Sequence, residues 1–138
     1  GTFLNGDYLT SGTYLTSDQV NMIEDNTTWY LGTVGDASYK VAKYQDATSS
    51  NLTTSTTTAK VGLLRLGELM AGQFDKDATY WTLTPYSSSY VRYVSYYGTC
   101  SLNSPTNSNS SRPSMNLKST VKIVSGTGTK SDPFVISN

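Results

Sequence analysis

Short segments in which apolar and polar side chains alternate run through most of the chain, and turn-forming residues separate them. Alternation with a period of two is the pattern of a β-strand that buries one face. The predicted strands are rich in aromatic and β-branched residues and cover 28–34, 38–44, 61–64, 80–85, 90–96, 112–117, 121–124 and 133–136. The pattern therefore predicts a sheet-rich domain.

Two β-hairpins are predicted from the turns between these strands. Residues 35–38 (Gly-Asp-Ala-Ser) connect the first pair of strands, and residues 125–129 (Ser-Gly-Thr-Gly-Thr) connect the last pair. The second connection resembles a phosphate-binding loop only superficially, because it lacks the Gly-Lys-Ser/Thr ending and a following helix. We therefore interpret it as a hairpin turn.

A first short helix is predicted near the start of the chain. Residues 16–19 (Thr-Ser-Asp-Gln) match a capping box, in which the Thr16 hydroxyl accepts from the Gln19 amide and the Gln19 side chain reaches back. Val20 and Ile23 then fall on one face. The helix is expected to end near Asp25 and Asn26.

A second helix is predicted after the apolar strand 61–64. Its apolar residues recur at helical spacing and are Leu66, Leu69 and Met70. Gly72 is a suitable C-terminal stop. Glu68 is expected either to support the helix start or to pair with Arg65 in the core.

Three segments are predicted to lack regular structure. Residues 1–15 carry turn signals and allow at most one short strand, and residues 100–111 form a polar loop. Residues 45–58 are a Thr/Ser run too polar to pack, which predicts an exposed and mobile loop. Each half of the chain would have only a small core, so we expect residues 1–138 to form a single domain, as a piece of a longer surface protein.

The stretch 80–117 is the one around which the rest of the chain is organised. In its first strand, Trp81 and Leu83 are expected on one face, and the opposite face carries Tyr80, Thr82 and Thr84. In the strand 90–96, one face is predicted to carry Tyr90, Arg92, Val94 and Tyr96. The opposite face would then carry Val91, Tyr93, Ser95 and Tyr97.

The composition narrows the classes of partner. The chain has ten basic and ten acidic residues with no basic stripe, whereas nucleic-acid binding needs a cationic footprint. No apolar run approaches the roughly 20 residues that a membrane span needs. Abundant Ser and Thr, eleven tyrosines and only 14% charged residues are typical of extracellular bacterial adhesive domains.

Catalytic chemistry finds little support in the sequence. The chain has no histidine and a single cysteine, Cys100, so neither a disulfide within the chain nor a cysteine-based metal site is expected. Asp75 and Asp77 could share a cation, but two solvated turn aspartates are the better interpretation. No Gly-x-Ser-x-Gly elbow occurs. We predict a protein that is not an enzyme and needs no metal or cofactor; an intramolecular Lys–Asp/Asn isopeptide bond remains a separate hypothesis.

A tyrosine-rich and asparagine-rich segment is the candidate binding surface. Tyrosine offers a large rigid contact area with a polar tip, and Ser and Asn offer adaptable hydrogen bonds, which is the chemistry of binding loops. The predicted ligand-binding residues are Tyr86, Tyr90, Arg92, Tyr96, Tyr97, Asn103, Asn107 and Asn109. The alternative is that Tyr93 and some partners belong to the core while the others decorate an exposed strand.

Four segments in order carry a resemblance to a known group of proteins: the predicted strand and helix of residues 61–72, and residues 80–85 (Tyr-Trp-Thr-Leu-Thr-Pro), 111–117 (Ser-Arg-Pro-Ser-Met-Asn-Leu) and 126–136 (Gly-Thr-Gly-Thr-Lys-Ser-Asp-Pro-Phe-Val-Ile). They resemble uncharacterised domains of surface and pilin-like proteins of Gram-positive gut bacteria. The order of strand, loop and strand is also similar to the C-type-lectin-like fold in its sulfatase-modifying-factor variety. The likeness covers about the last 80 residues and implies an α+β, C-type-lectin-like fold with mostly antiparallel sheets, two short helices and long polar loops.

The chain departs from the functional members of that fold. Formylglycine-generating enzymes use two cysteines and related iron enzymes use histidines, and this chain has one cysteine and no histidine. The Glu-Pro-Asn, Gln-Pro-Asp and Trp-Asn-Asp motifs of calcium-dependent lectins do not occur. The resemblance therefore implies the fold without those chemistries.

The expected function is non-catalytic recognition of a glycan or protein at the surface of a bacterium, with Trp81, Leu83, Arg112, Pro113 and Leu117 holding the base of the binding loop. One alternative is a structural pilin-like or stalk subunit of a surface polymer that has no ligand. Another is a receptor domain diversified by a retroelement-driven system, because adenine-rich codons yield the residue types around 86–111. The expected partners are surface glycans or proteins, with no nucleic acid and no membrane span.

Overall fold

A computed structural model of the protein describes residues 2–31, 55–71 and 78–138. Several predictions lie outside these residues: the second strand of the first hairpin, most of the Thr/Ser-rich segment, the stop at Gly72 and the aspartates Asp75 and Asp77. The helices, strands and sheets named below all lie within the described residues.

Short helices and short strands follow one another along the chain. The helices are α1 (Asp7–Thr10), α2 (Ser17–Asn21) and α3 (Leu66–Ala71). The strands are β1 (Thr27–Tyr30), β2 (Thr56–Ala59), β3 (Val61–Leu63), β4 (Tyr80–Pro85), β5 (Val91–Val94), β6 (Cys100–Asn103), β7 (Pro113–Met115), β8 (Lys122–Ser125) and β9 (Val135–Ser137).

The strands form small antiparallel sheets. The largest is a three-stranded meander in the order β4-β5-β6, and three two-stranded sheets pair β1 with β2, β3 with β7 and β8 with β9. Mostly antiparallel sheets with a few short helices are compatible with the predicted α+β class. The pairing of β3 with β7 joins residues far apart in sequence, so it connects the middle of the chain to its last third.

The start of α2 has the predicted capping box. The Gln19 backbone amide donates to Thr16 Oγ1 at 3.2 Å, and the Thr16 amide donates to Gln19 Oε1 at 2.9 Å. The helix ends at Asn21, earlier than predicted. After the C-cap residue Met22, the buried Ile23 forms an antiparallel bridge with Leu117.

Helix α3 begins with two side-chain hydrogen bonds. Glu68 Oε2 accepts from the backbone amide of Arg65 at 2.7 Å, which confirms that Glu68 supports the helix start. The Leu66 amide donates to Thr84 Oγ1 at 2.8 Å, so a strand residue satisfies a second amide of the first turn. Arg65 itself is buried, and its Nη1 donates to the carbonyl of Tyr30 at 2.7 Å.

The core lies between α3 and the inner face of the meander. Its apolar centre is formed by Leu66, Tyr80, Val94 and Cys100. The predicted alternation of β4 is confirmed, because its buried face carries Tyr80, Thr82 and Thr84 while Trp81 and Leu83 lie on the other face. On that other face, the rings of Trp81 and Tyr93 meet edge to face at 5.9 Å.

Three predictions of irregular structure were wrong. Residues 7–10 form α1, residues 56–59 form β2, and residues 100–103 form β6 instead of the start of a polar loop. β2 is polar and is held by backbone pairing with the more apolar β1. β6 is an edge strand that pairs with β5 and places Cys100 in the core. Two predicted strands are also shorter than expected: β5 spans only Val91–Val94 and β7 only Pro113–Met115.

The last two strands form the predicted hairpin. Gly126 and Gly128 in its connection have φ angles of 90° and 78°, a region that glycine enters without strain. The hairpin exposes a set of large apolar side chains: Ile123, Val124, Phe134 and Val135. Residues of β9 also line an apolar cavity of about 410 Å³ against Met22, Ile23 and Leu117.

Candidate functional site

Strand β5 divides the predicted binding residues into two groups. Tyr90 precedes the strand and Tyr96 follows it, so six residue steps of roughly 3.3 Å separate their backbones. β6 runs antiparallel to β5 and pairs Asn103 with Val91, which brings Asn103 to the Tyr90 end. The predicted residues therefore do not form one continuous surface.

The Tyr90 end is a turn that satisfies its own polar groups. The Tyr86 amide donates to the Tyr90 carbonyl at 2.9 Å. Asn103 Oδ1 accepts from the Asn107 side-chain amide at 2.6 Å and from the Ser104 backbone amide at 2.9 Å. These hydrogen bonds hold the turn that follows β6. The side-chain oxygen of Asn103 already accepts from two donors.

Arg92 is not part of an exposed face. Its side chain is only 4% exposed, because residues 92 and 94 point from β5 into the core. Its guanidinium lies over the ring of Tyr86, 5.1 Å from the ring centroid. The prediction that Arg92 and Val94 share one face of β5 is confirmed, and that face is the buried one, so Arg92 lies in the core and not on an exposed ligand-binding surface.

The other end of β5 is a tight turn that projects two tyrosines. The Ser95 amide donates to the Thr99 carbonyl at 2.8 Å, the two side-chain oxygens of this pair lie 2.8 Å apart, and the Gly98 amide donates to the Ser95 carbonyl at 2.9 Å. Gly98 has a φ of 77°, which a side chain would strain. Tyr96 and Tyr97 therefore occupy a turn that is fixed by the backbone.

The two tyrosine rings are the most exposed aromatic pair of this region. Tyr96 is 54% exposed and Tyr97 is 72% exposed, and their ring centroids are 3.8 Å apart. The hydrogen bond with Tyr97 raises the pKa of Tyr96 above its ordinary value of 10.0. The turn thus presents aromatic surface together with phenol groups that can donate hydrogen bonds.

An open depression of about 610 Å³ lies beside this turn. It is lined by Ala78, Thr79, Tyr96, Ser108, Asn109 and Ser110. Both of its sides are anchored on the start of β4. The Tyr96 amide donates to Thr79 Oγ1 at 3.2 Å, and the Ser110 amide donates to the Thr79 carbonyl at 3.2 Å. The depression is therefore formed by hydrogen-bonded backbone on each side.

Asn109 has an unusual environment in this depression. The residue is half-buried, and its Nδ2 is shielded from solvent without any hydrogen-bond partner. Leaving a shielded amide nitrogen unpaired costs free energy. None of the described residues that line the depression carries a formal charge. Its polar groups are hydroxyls and a carboxamide.

Three residues that line the depression were not named as binding residues from the sequence. Thr79, Ser108 and Ser110 line the depression but were not singled out, because their contribution depends on the parallel bridge between Tyr80 and Ser110. The alternation of β4 fixes its faces but says nothing about which distant segment lies along its edge. Ser108 and Ser110 lie within the segment 86–111 that was predicted to bind the ligand, whereas Thr79 carried no local signal.

A second aromatic cluster also escaped prediction. Phe3, Tyr8 and Tyr14 contact one another, with ring centroids 5.4–6.2 Å apart. Phe3 also lines an apolar groove of about 360 Å³ together with Trp81 and Pro105. The presence of three aromatic residues in the first 15 positions could have indicated this cluster. The interpretation of that segment as irregular did not use it.

Groups with catalytic potential are few in the part of the chain that the structure describes. There, no set of three or more His, Cys, Asp or Glu residues is placed to hold a metal ion. Burial raises the pKa of the Cys100 thiol, an effect that the charge of Arg92 partly offsets. Asp25 Oδ1 lies 2.5 Å from Lys60 Nζ, and this hydrogen bond lowers the pKa of the exposed carboxyl. An ionised carboxylate is a poor acyl group, so this pair does not support the isopeptide hypothesis.

Comparison with protein-family models, with curated proteins and with solved structures finds no match for this chain. Within the described ranges, no helix is both long and apolar enough to cross a membrane. The chemistry of the site is therefore inferred from the geometry of its own residues.

Proposed function

We propose that this protein is a non-catalytic binding module of a bacterial surface protein, with a C-type-lectin-like fold, that recognises an extracellular glycan or protein. The ligand contacts the Tyr96–Tyr97 turn and the adjoining depression. The observation that carries the proposal is the pair of strongly exposed tyrosine rings on a turn fixed by hydrogen bonds beside a polar depression. The composition and the strand motifs of the last 80 residues support the extracellular setting and the fold.

The energetics of binding favour this end of the meander. Tyrosine loses little conformational entropy on binding and provides both apolar contact and a hydrogen-bonding tip. A turn that is already ordered adds little further ordering cost when a ligand binds. At the Tyr90 end, by contrast, the Asn103 and Asn107 amides bond to one another and a ligand would have to compete for them.

An array of host glycans and matrix proteins tests the proposal, with the domain compared against Tyr96→Ala and Tyr97→Ala variants. We expect each substitution to weaken retention by about tenfold or more, as for aromatic contact residues at a binding site. Tyr90→Ala is the matched control, because Tyr90 is 44% exposed and lies at the opposite end of β5. Melting temperatures should be nearly unchanged in all three variants, because all three side chains are exposed.

Two results would contradict the proposal. The first is a retained ligand that is lost in Tyr90→Ala and kept in Tyr96→Ala and Tyr97→Ala. The second is an absence of retention on the whole array. Either outcome removes the Tyr96–Tyr97 turn as the ligand-binding surface.

A structural pilin-like or stalk subunit is the second candidate, and the C-terminal hairpin favours it. Four large apolar side chains in β8, in β9 and directly before β9 are at least half exposed, a pattern typical of surfaces that pair with other protein. A structural subunit would self-associate through this hairpin. Sedimentation of the wild type and of an Ile123→Ser/Phe134→Ser variant tests this self-association. Concentration-dependent association that the variant abolishes would support the structural role. A protein that stays monomeric at all concentrations would contradict it.

A further inference from the structure

The side chains that line the depression beside Tyr96 indicate which class of ligand it binds. Resting on the proposed function, we infer that its ligand is a neutral sugar, held by stacking on the Tyr96 ring and by hydrogen bonds to the hydroxyl and amide groups around Asn109. The inference joins three observations: the chemistry of the lining, the unpartnered amide of Asn109 and the accessibility of the two tyrosine rings.

The lining matches a ligand made of hydroxyl groups and C–H faces. Thr79, Ser108 and Ser110 supply hydroxyls that both donate and accept, and Asn109 supplies a carboxamide. The Tyr96 ring supplies an apolar face. A pyranose presents ring hydroxyls at its rim and C–H groups on its faces, so the same small site can satisfy both.

The lining does not match a charged ligand. Acidic sugars, phosphates and carboxylates are held in proteins by Arg, Lys or clustered backbone amides. The described residues of the depression include no Arg or Lys. Arg112, two residues beyond Ser110, lies over the ring of Tyr80, with its guanidinium carbon 4.6 Å from the ring centroid. A neutral ligand therefore fits the electrostatics better than an anionic one.

Asn109 supplies the specific polar contact. Its Nδ2 is shielded from solvent and has no acceptor, which is an unfavourable state for a donor. A hydroxyl oxygen of a ligand lying in the depression that Asn109 lines would supply the missing acceptor.

Affinity electrophoresis through gels that contain one polymer each tests the inference. The polymers are neutral polysaccharides (xylan, mannan and mixed-linkage β-glucan), an acidic polysaccharide (polygalacturonate) and a protein (collagen). We expect at least one neutral polysaccharide to retard the domain. Retardation should weaken about tenfold in Asn109→Ala and in Tyr96→Ala and should persist in Asn107→Ala, whose amide lies at the other end of β5.

Asn109→Ala is informative because it should not damage the fold. Its amide nitrogen has no partner to lose, so we expect a melting temperature equal to or above that of the wild type. A loss of retardation in this variant would then report a lost ligand contact. If the melting temperature of Asn109→Ala falls instead, the retardation of Tyr96→Ala, whose substituted side chain is exposed, decides whether the ligand contacts this depression.

The possible outcomes separate the inference from the proposed function. Retardation only by polygalacturonate or collagen, and lost in Tyr96→Ala, would overturn the neutral sugar while leaving a binding module at this turn. Retardation by a neutral polysaccharide that neither variant weakens would overturn both the ligand contact at Asn109 and the proposed surface. Absence of retardation by every polymer would overturn the neutral sugar and count against the binding module itself.

Discussion

Threonine hydroxyls connect elements in the interior of this protein. Thr84 is fully buried, and its Oγ1 accepts from the Leu66 amide at the start of α3. Thr82 is also buried, and its Oγ1 donates to the Arg92 carbonyl at 2.8 Å. In a small core with few apolar residues, these hydrogen bonds fix how α3 and β5 lie against β4.

Thr84→Val should destabilise the protein by about 1–3 kcal/mol, because the isosteric valine leaves the buried Leu66 amide without an acceptor. Urea denaturation of the variant measures the loss. Thr58→Val, on the exposed β2, is the matched control and should change the free energy of unfolding by less than about 0.5 kcal/mol. Equal stabilities for Thr84→Val and the wild type would show that Thr84 does not cap α3.

The Asp25 carboxylate links two lysines on the surface. Lys60 Nζ lies 2.5 Å from its Oδ1 and Lys118 Nζ lies 3.4 Å from its Oδ2. The hydrogen bond from Lys60 and the charge of Lys118 lower the pKa of Asp25 below its ordinary value of 3.8. The ion pairs therefore favour the folded state only where Asp25 is ionised.

Asp25→Asn should lower stability slightly at about pH 7 and have no effect at about pH 2. The sign follows from the lowered pKa: the stabilisation is complete above the unfolded-state value of about 3.9 and is lost as the pH falls through the lower folded-state value. Urea denaturation at both pH values measures it, with Asp132→Asn as a control for removing an exposed charge. If Asp25→Asn lowers the free energy of unfolding by the same amount at both pH values, the ionised Asp25 carboxylate does not stabilise the fold through its ion pairs.

At the scale of elements, the sequence predicted those features that depend on residues close together in the chain. The capping box of α2 and the Glu68 cap of α3 depend on residues three apart, and the structure has both. The faces of β4 follow from alternation alone. β2 could not be predicted in this way, because its polar sequence forms a strand through pairing with β1. β6 alternates over only four residues within a polar segment, and its pairing with β5 is not visible in the sequence.

A close approach between elements explains the glycine in β3. The indole of Trp29 in β1 lies over Gly62, and a Cβ at that position would come within 2.5 Å of two ring carbons. Trp29 Nε1 also donates to the Ala59 carbonyl at 2.9 Å, so the ring is held from two sides. The β1–β2 and β3–β7 sheets therefore depend on each other through this contact.

Gly62→Ala should displace the Trp29 ring and destabilise the protein by about 1–3 kcal/mol. Urea denaturation gives the free energy, and the position of the indole N–H resonance in NMR spectra reports the displacement. In a Trp29→Leu background the same substitution should cost much less, because the ring that it would meet is gone. A cost that does not change between the two backgrounds would contradict the proposed contact.

At the scale of the whole molecule, composition indicated a tyrosine-rich binding surface but not its shape. The division of that surface by β5, the burial of Arg92 and the placement of Ser108–Ser110 beside Thr79 all depend on pairing between distant segments. Such pairing leaves no periodic trace in a single sequence. The strand that separates Tyr90 from Tyr96 could be predicted from alternation, whereas the segments that lie beside its two ends could not.

The most direct test of the account is an amide NMR titration of the domain with the compound that it retains most strongly on the glycan and protein array. The account predicts that the largest shift changes fall on Thr79, Tyr96, Tyr97 and residues 108–110, and that Tyr97→Ala reduces them. Largest changes at residues 86–90 and 103–107, or in the β8–β9 hairpin, would contradict a ligand site at the Tyr96–Tyr97 turn. An array on which no compound is retained would contradict it as well.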